Sequence, residues 1–210
     1  SENKELDASF HPIIRNDTCC YKSSSKVIEL AKKYSSDLHV LHLTTEKEIE
    51  LFENIDLQNK KITCEVCVHH LWFDDTDYAK LGNLIVCNPA IKKESDKNAL
   101  RKALKDGYID YVATDHAPHS LEDKKLPYGN APAGIPLIEH SFHMMIELYK
   151  QGFYSLNEVV SYMSHKVADR FCIKDRGYVR EGYKADLMIF DLDKKTLVEN
   201  KTEKTKCGWT

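Results

Sequence analysis

An α/β fold built around a parallel sheet is what this sequence predicts, on three observations. Short apolar runs alternate with amphipathic segments of about ten residues, the pattern of right-handed βαβ units. Two amphipathic segments open on a hydroxyl residue followed three positions later by glutamate, the signature of a capped helix start. The apolar runs end in polar, chemistry-bearing residues, as strands do where their loops converge on one mouth.

Ser25 to Lys33 places Val27, Ile28, Leu30 and Ala31 at helical spacing and reads as the first helix. Residues 37–45 follow as a short buried strand ending in the hydroxyls of Thr44 and Thr45. Thr45 and Glu48 cap the next helix, which continues through Ile49, Leu51 and Phe52. A second strand covers Ile62 to His69. After a polar loop, Ser95 to Lys105 reads as a helix with Ala99, Leu100, Ala103 and Leu104 on one side, and residues 109–114 as a third strand. Beyond the Pro/Gly-rich loop from Pro127 to Pro136, helices are expected over residues 137–151 and 156–171, the second opened by Ser155 and Glu158. In the tail, residues 177–182 read as a turn or short strand. Ala185 to Asp191 reads as a strand with no helix after it, a small β element outside the α/β body.

With 210 residues, one domain plus a small appendage is expected. The net charge of −3, with 30 Lys and Arg spread along the chain, offers no concentrated basic face and argues against a nucleic-acid partner. No apolar run approaches the ~18–20 residues that cross a bilayer, and residues 1–10 carry neither a basic nor an apolar leader region, so a cytoplasmic protein without a membrane partner is expected. Seven cysteines, irregularly spaced in apolar strings, read as reduced packing residues. Ser1 in place of Met, and the unpunctuated ending at Thr210, lead to the expectation that both ends have been cut.

The most informative stretch is residues 113–119, Ala-Thr-Asp-His-Ala-Pro-His, which places a carboxylate and two imidazoles where the third strand ends. Asp115 there either acts at the mouth or caps the loop through its own backbone. His42 repeats the arrangement near the C-terminal end of the first strand. His39 and His42 differ in strand parity and therefore do not chelate together; His42, nearer the end, is the candidate, against the plainer reading of a hydrogen-bonded core histidine. Cys64 and Cys67, followed by His69 and His70, suggest zinc, but extended residues three apart face opposite sides and no Gly or Pro supplies a turn, so a structural zinc site is not expected. Asn88-Pro89 and the loop Ala131-Pro132-Ala133-Gly134 read as turns unless something else selects them.

Taken together and in order, the strings at residues 11–15 (HPIIR), 38–45 (LHVLHLTT), 65–71 (EVCVHHL), 88–91 (NPAI), 113–119 (ATDHAPH), 131–134 (APAG) and 206–209 (KCGW) resemble the dihydroorotases of the amidohydrolase superfamily. The resemblance implies a partial (β/α)8 barrel, strands six to eight and their helices, over residues 1–176, and a small β-sandwich segment over residues 177–210. It implies a zinc-dependent interconversion of dihydroorotate and N-carbamoyl-aspartate in pyrimidine synthesis, with one or two zinc ions. His42 takes the place of a zinc ligand, Asp115 of a zinc ligand and general acid/base, and Asn88, His119, Ala133 and Gly134 of substrate contacts.

The same resemblance requires a His-x-His pair, a bridging carboxylate, a further histidine and an arginine from earlier strands. None is read before residue 11, so the chain alone is expected to be inactive. Val68 stands where a proline often precedes the two histidines, and Ser164-His165-Lys166 replaces an Asn-Pro turn. Allantoinase and dihydropyrimidinase share the barrel; His119 and the Cys207-Gly208-Trp209 ending fit dihydroorotase better. A non-catalytic partner subunit is the alternative of another class. Expected partners are a small-molecule substrate and either a second copy or a carbamoyltransferase.

Overall fold

The structure, a computed structural model, describes residues 6–210. The first five residues of the start at Ser1, in which no leader region was read, lie outside the described residues. The helices, in chain order, are α1 (His11–Ile14), α2 (Asp17–Tyr34), α3 (Glu46–Ile49), α4 (Val68–Trp72), α5 (Tyr78–Leu81), α6 (Glu94–Asp106), α7 (Leu121–Lys124), α8 (Ser141–Lys150), α9 (Leu156–Val160) and α10 (Lys166–Arg170). The strands are β1 (Leu38–Val40), β2 (Ile62–Cys67) and β3 (Tyr111–Ala113). They form a three-stranded parallel sheet in the order β1-β2-β3. The α/β class and the sequential parallel pairing are therefore as the alternation predicts.

Local chemistry explains the elements. α2 starts where the Asn16 side chain accepts the Cys19 N–H and stops where Ser35 turns left-handed. It is longer than the apolar spacing alone suggests, because its first two turns are polar. Ile28 and Ala31 face the core, whereas Val27 and Leu30 stay exposed. α6 buries Leu100, Ala103 and Leu104 in the core beside α3 and α4 and ends at Gly107, whose left-handed backbone returns its N–H to Ala103 and Leu104. The capping box at Ser155 and Glu158 is complete. Thr45 accepts the Glu48 N–H, but α3 stops at Ile49 and does not continue through Leu51 and Phe52.

The core gathers β2, α4, α6, α8 and α9, where Val66, Leu71, Leu100, Leu104, Met145, Leu148 and Val159 are excluded from solvent. Each such side chain contributes about 1.5–3 kcal/mol of burial. At the opposite end from the strand tips, Lys60 Nζ and Asp110 Oδ1 meet at 2.7 Å, both side chains buried. Asp110 Oδ2 also accepts the Cys64 N–H at 2.9 Å, so the pair pins β3 to β2.

The tail departs from expectation. Residues 177–210 contain no strand, and the predicted strand Ala185 to Asp191 lies on the surface with Ile189 98% exposed. An apolar run becomes a strand only when a neighbour completes its hydrogen-bond ladder, and among the described residues none lies beside it. The small C-terminal β element is thus corrected to an irregular segment. Among the described residues, no helix is long and apolar enough to cross a membrane.

Candidate functional site

β1, β2 and β3 end side by side, and the residues just beyond them collect the chemistry. His42 stands two residues past Val40 with φ +41°, and Asp115 two residues past Ala113 with φ +44°. Left-handed backbone in a non-glycine residue costs about 1–3 kcal/mol and clusters at functional positions. His42 is half-buried and Asp115 exposed. His39, by contrast, points into a side-chain network with Thr63 at 2.8 Å, Glu65 at 3.1 Å and the Tyr111 hydroxyl at 2.6 Å. The two strand-six histidines of the sequence reading are thus occupied differently, and His39 is a hydrogen-bonded member of the sheet.

The end of β2 was not anticipated. Parallel register sets Cys67 level with Ala113 of β3. At that point the chain leaves the extended conformation and winds into α4, whereas the sequence reading continued the strand to His69. A strand would have sent His69 and His70 to opposite faces; the helical turn brings their rings to 4.3 Å. Potential donor atoms of Cys67, His69 and His70 lie within 4.8 Å of one another, all three residues buried. The His70 Nε2–H donates to the Pro89 carbonyl at 3.0 Å. Both ring nitrogens of His69, and Nδ1 of His70, have no hydrogen-bond partner. A buried polar group left unpaired costs about 1–3 kcal/mol, so these atoms call for an explanation.

Electrostatics ties the cluster to both strand-end residues. Burial, reinforced by the His42 charge, drives the His69 pKa down to about 3, and burial followed by the neighbouring His69 holds His70 well below the ordinary imidazole range. Both rings are neutral at physiological pH. Burial, then the charges of Glu65 and Asp115, pushes the Cys67 thiol well up. Cys64, on the other face of β2, donates to the Tyr108 carbonyl and takes no part.

Asn88 is held from a distance in sequence. The His11 Nε2–H donates to the Cys87 carbonyl at 2.9 Å and to Asn88 Oδ1 at 3.2 Å. Since a carbonyl only accepts, Nε2 carries the proton, and Nδ1 accepts from the Tyr128 hydroxyl at 2.9 Å. Burial lowers the His11 pKa below its ordinary value.

His119 and the 131–134 loop form a second unit. The His119 Nε2–H donates to the Ala133 carbonyl at 3.1 Å, and the Trp209 indole N–H donates to the His119 carbonyl at 2.8 Å. Gly134 donates its N–H to the Val86 carbonyl at 2.8 Å, two residues before Asn88. Lys124, buried, donates to the carbonyls of Val86, Pro132 and Gly134 at 3.0–3.1 Å, and burial pulls its pKa down to about 8. The backbone groups of Ala133 and Gly134 are therefore largely engaged within the protein, shaping the loop around His119. Gly134 has φ +147°, and a Cβ there would fall 2.5 Å from Ala117 Cβ and 2.9 Å from His119 Cδ2.

Sequence reasoning weighs Cys67, His69 and His70 as a zinc set and sets it aside, and it gives no role to His11 or Lys124. The adjacent histidines were a visible signal whose geometry depends on a turn no residue advertises. Two cavities, of about 300 and 700 Å³, lie elsewhere: one beside α2 and the start of β2, the other between His116, Pro136, Glu139 and Lys204. His42 and Asp115 line neither of these two. A further group, Glu139, His140 and Glu203, is partly paired: His140 Nε2 meets Glu203 at 2.5 Å and Glu139 accepts the Lys204 N–H, while His140 Nδ1 has no hydrogen-bond partner.

Known proteins resemble this chain over most of its length. The amidohydrolase family model matches residues 22–208. A dihydroorotase of Ehrlichia chaffeensis is 35% identical over 161 residues, covering 77% of this chain and 36% of that protein. A dihydroorotase of Lactobacillus acidophilus is 34% identical over 179 residues, covering 84% and 42%. Among solved structures, the L-hydantoinase (dihydropyrimidinase) of Arthrobacter aurescens superposes with a TM-score of 0.80 at 27% identity, over 86% of this chain and 41% of that one. The chain spans about two fifths of the length of the curated relatives it matches.

Proposed function

This chain belongs to the amidohydrolase family, and on that premise we propose that it is the C-terminal part of a dihydroorotase, a hydrolase that opens and closes a cyclic amide. Residues 1–176 then form the closing strands and helices of a (β/α)8 barrel, and residues 177–210 the segment beyond it. The observation that carries the reading is the paired backbone strain at His42 and Asp115, each two residues past a parallel strand of one sheet. Strain held at two equivalent strand ends is what a site built from those ends requires.

The donor types fit a divalent metal: an imidazole and a carboxylate just past β1 and β3, the two strands that flank β2 in one sheet. His42 and Asp115 would hold zinc, together with ligands from earlier strands. When bound, such an ion supplies water activation near neutral pH and polarisation of the amide carbonyl.

The remaining steps belong to residues of this chain. An Asp115 carboxylate oxygen accepts the proton released as water oxygen bonds to the carbonyl carbon. The same carboxyl then delivers that proton to the ring nitrogen as the C–N bond breaks. Asn88, whose Oδ1 is fixed by His11, orients the substrate ring through its amide N–H groups. His119, its Nε2–H committed to Ala133, presents Nδ1 as an acceptor.

A second reading, a dihydropyrimidinase or hydantoinase activity on the same barrel, is favoured by the superposition on the Arthrobacter aurescens enzyme. A substrate panel separates the two. With the upstream coding region restored, turnover of dihydroorotate should exceed that of dihydrouracil and hydantoin. A preference for the rings lacking a carboxylate supports the second reading. Hydrolysis of none, by a folded and zinc-loaded protein, supports a non-catalytic partner role.

A further inference from the structure

We propose that Cys67, His69 and His70 form a separate, buried site for a thiophilic divalent ion such as zinc, which pins the switch from β2 into α4. Three observations carry it. The three donors converge within 4.8 Å because the chain turns helical at Val68. Ligands at the corners of a tetrahedral zinc stand roughly 3.4–3.6 Å apart, so side-chain adjustments of about an ångström close the set.

His70 is oriented as a metal-binding imidazole is. Its Nε2–H donates to the Pro89 carbonyl at 3.0 Å, which fixes the tautomer and leaves Nδ1 with a lone pair and no partner. The third observation is His69, 1% exposed, with neither ring nitrogen bonded to anything. A hydrogen-bonding reason for burying this ring is missing, whereas a ligand reason is present. His42 and Asp115 are not members of this donor set, so the site does not depend on the catalytic reading.

Binding is balanced by one proton: the Cys67 S–H bond breaks, the thiolate sulfur bonds to the ion, and the proton leaves to solvent. Two imidazoles and one thiolate leave the fourth tetrahedral position to water. The turn between β2 and α4 would then be held by the ion.

The test is a titration of the full 210-residue chain with cobalt(II) as a spectroscopic probe for zinc, with circular dichroism as a folding control. One equivalent should produce a thiolate-to-cobalt charge-transfer band. Cys67→Ser should abolish it, His42→Ala and Cys64→Ser should retain it, and His69→Gln should weaken binding by more than about 100-fold, beyond the usual loss for an outer-sphere partner. Absence of the band, its survival in Cys67→Ser, or its loss in His42→Ala overturns the proposal. Zinc-edge X-ray absorption on the unsubstituted chain tests it without any variant: one sulfur and two imidazoles are expected, and a shell of nitrogen and oxygen alone overturns it. Loss of hydrolysis in the restored protein, with the band intact, would sink the functional reading and leave this site standing.

Discussion

Gly134→Ala isolates the unit that holds His119. The new Cβ would sit 2.5 Å from Ala117 Cβ, 2.9 Å from His119 Cδ2 and 3.0 Å from the Ala117 carbonyl, at a backbone angle of φ +147°. Two of those neighbours are not flexible side-chain ends, so the backbone must move. Overpacking of this kind costs about 1–3 kcal/mol, and holding a non-glycine residue in a glycine-only conformation adds about 1–3 kcal/mol. The sum is roughly 2–6 kcal/mol, a large share of a domain's stability.

Gly129→Ala is the control. It has φ +96° but nothing within 4 Å of the added atom, so it carries only the conformational part. Urea unfolding followed by tryptophan emission reports both, since Trp209 bonds the His119 carbonyl. With a slope of about 1–3 kcal/mol per molar, Gly134→Ala should lower the midpoint by roughly 1–2 M, clearly more than Gly129→Ala. Equal midpoints for the two variants would refute the steric account of the loop.

Lys60→Met removes the partner of buried Asp110 and leaves a carboxylate without its counter-charge, so it should destabilise by about 3–5 kcal/mol; a thermal shift within 2 °C of the unsubstituted chain, on the order of 0.5 kcal/mol, would contradict this. His11 gives a pH dependence. Its folded pKa lies below the unfolded value of 6.5, so the unfolded chain binds the extra proton first and stability falls as pH drops below 6.5. His11→Gln should flatten the urea midpoint between pH 7 and 5 relative to the unsubstituted chain, and an unchanged slope would exclude His11 as a source.

Much of the scaffold was legible because its signals are local. Leu100, Ala103 and Leu104 announce α6 by spacing, and Ser155 with Glu158 announces α9 by a pair of hydrogen bonds made within four residues. His42 and Asp115 were visible as polar residues closing apolar runs. What stayed hidden depends on partners far along the chain or on a turn without a marker. His11 meets Cys87 and Tyr128 across 76 and 117 residues. Lys124 sits in a charged string that reads as a solvated face, yet three carbonyls enclose it. The β2 run reads as long enough to reach His69, yet the strand ends at Cys67 and the chain turns helical at Val68 without a Gly or Pro to mark it. Ala185 to Asp191 shows the converse error, an apolar run taken for a strand although strand formation is decided by a neighbour rather than by the run itself.

Anomalous diffraction at the zinc edge, on the protein with its upstream region restored, tests the central claim most directly. A peak is predicted about 2.0–2.2 Å from a His42 ring nitrogen and an Asp115 carboxylate oxygen. Zinc bound elsewhere, with those two side chains facing different regions and neither touching the ion, would contradict the account.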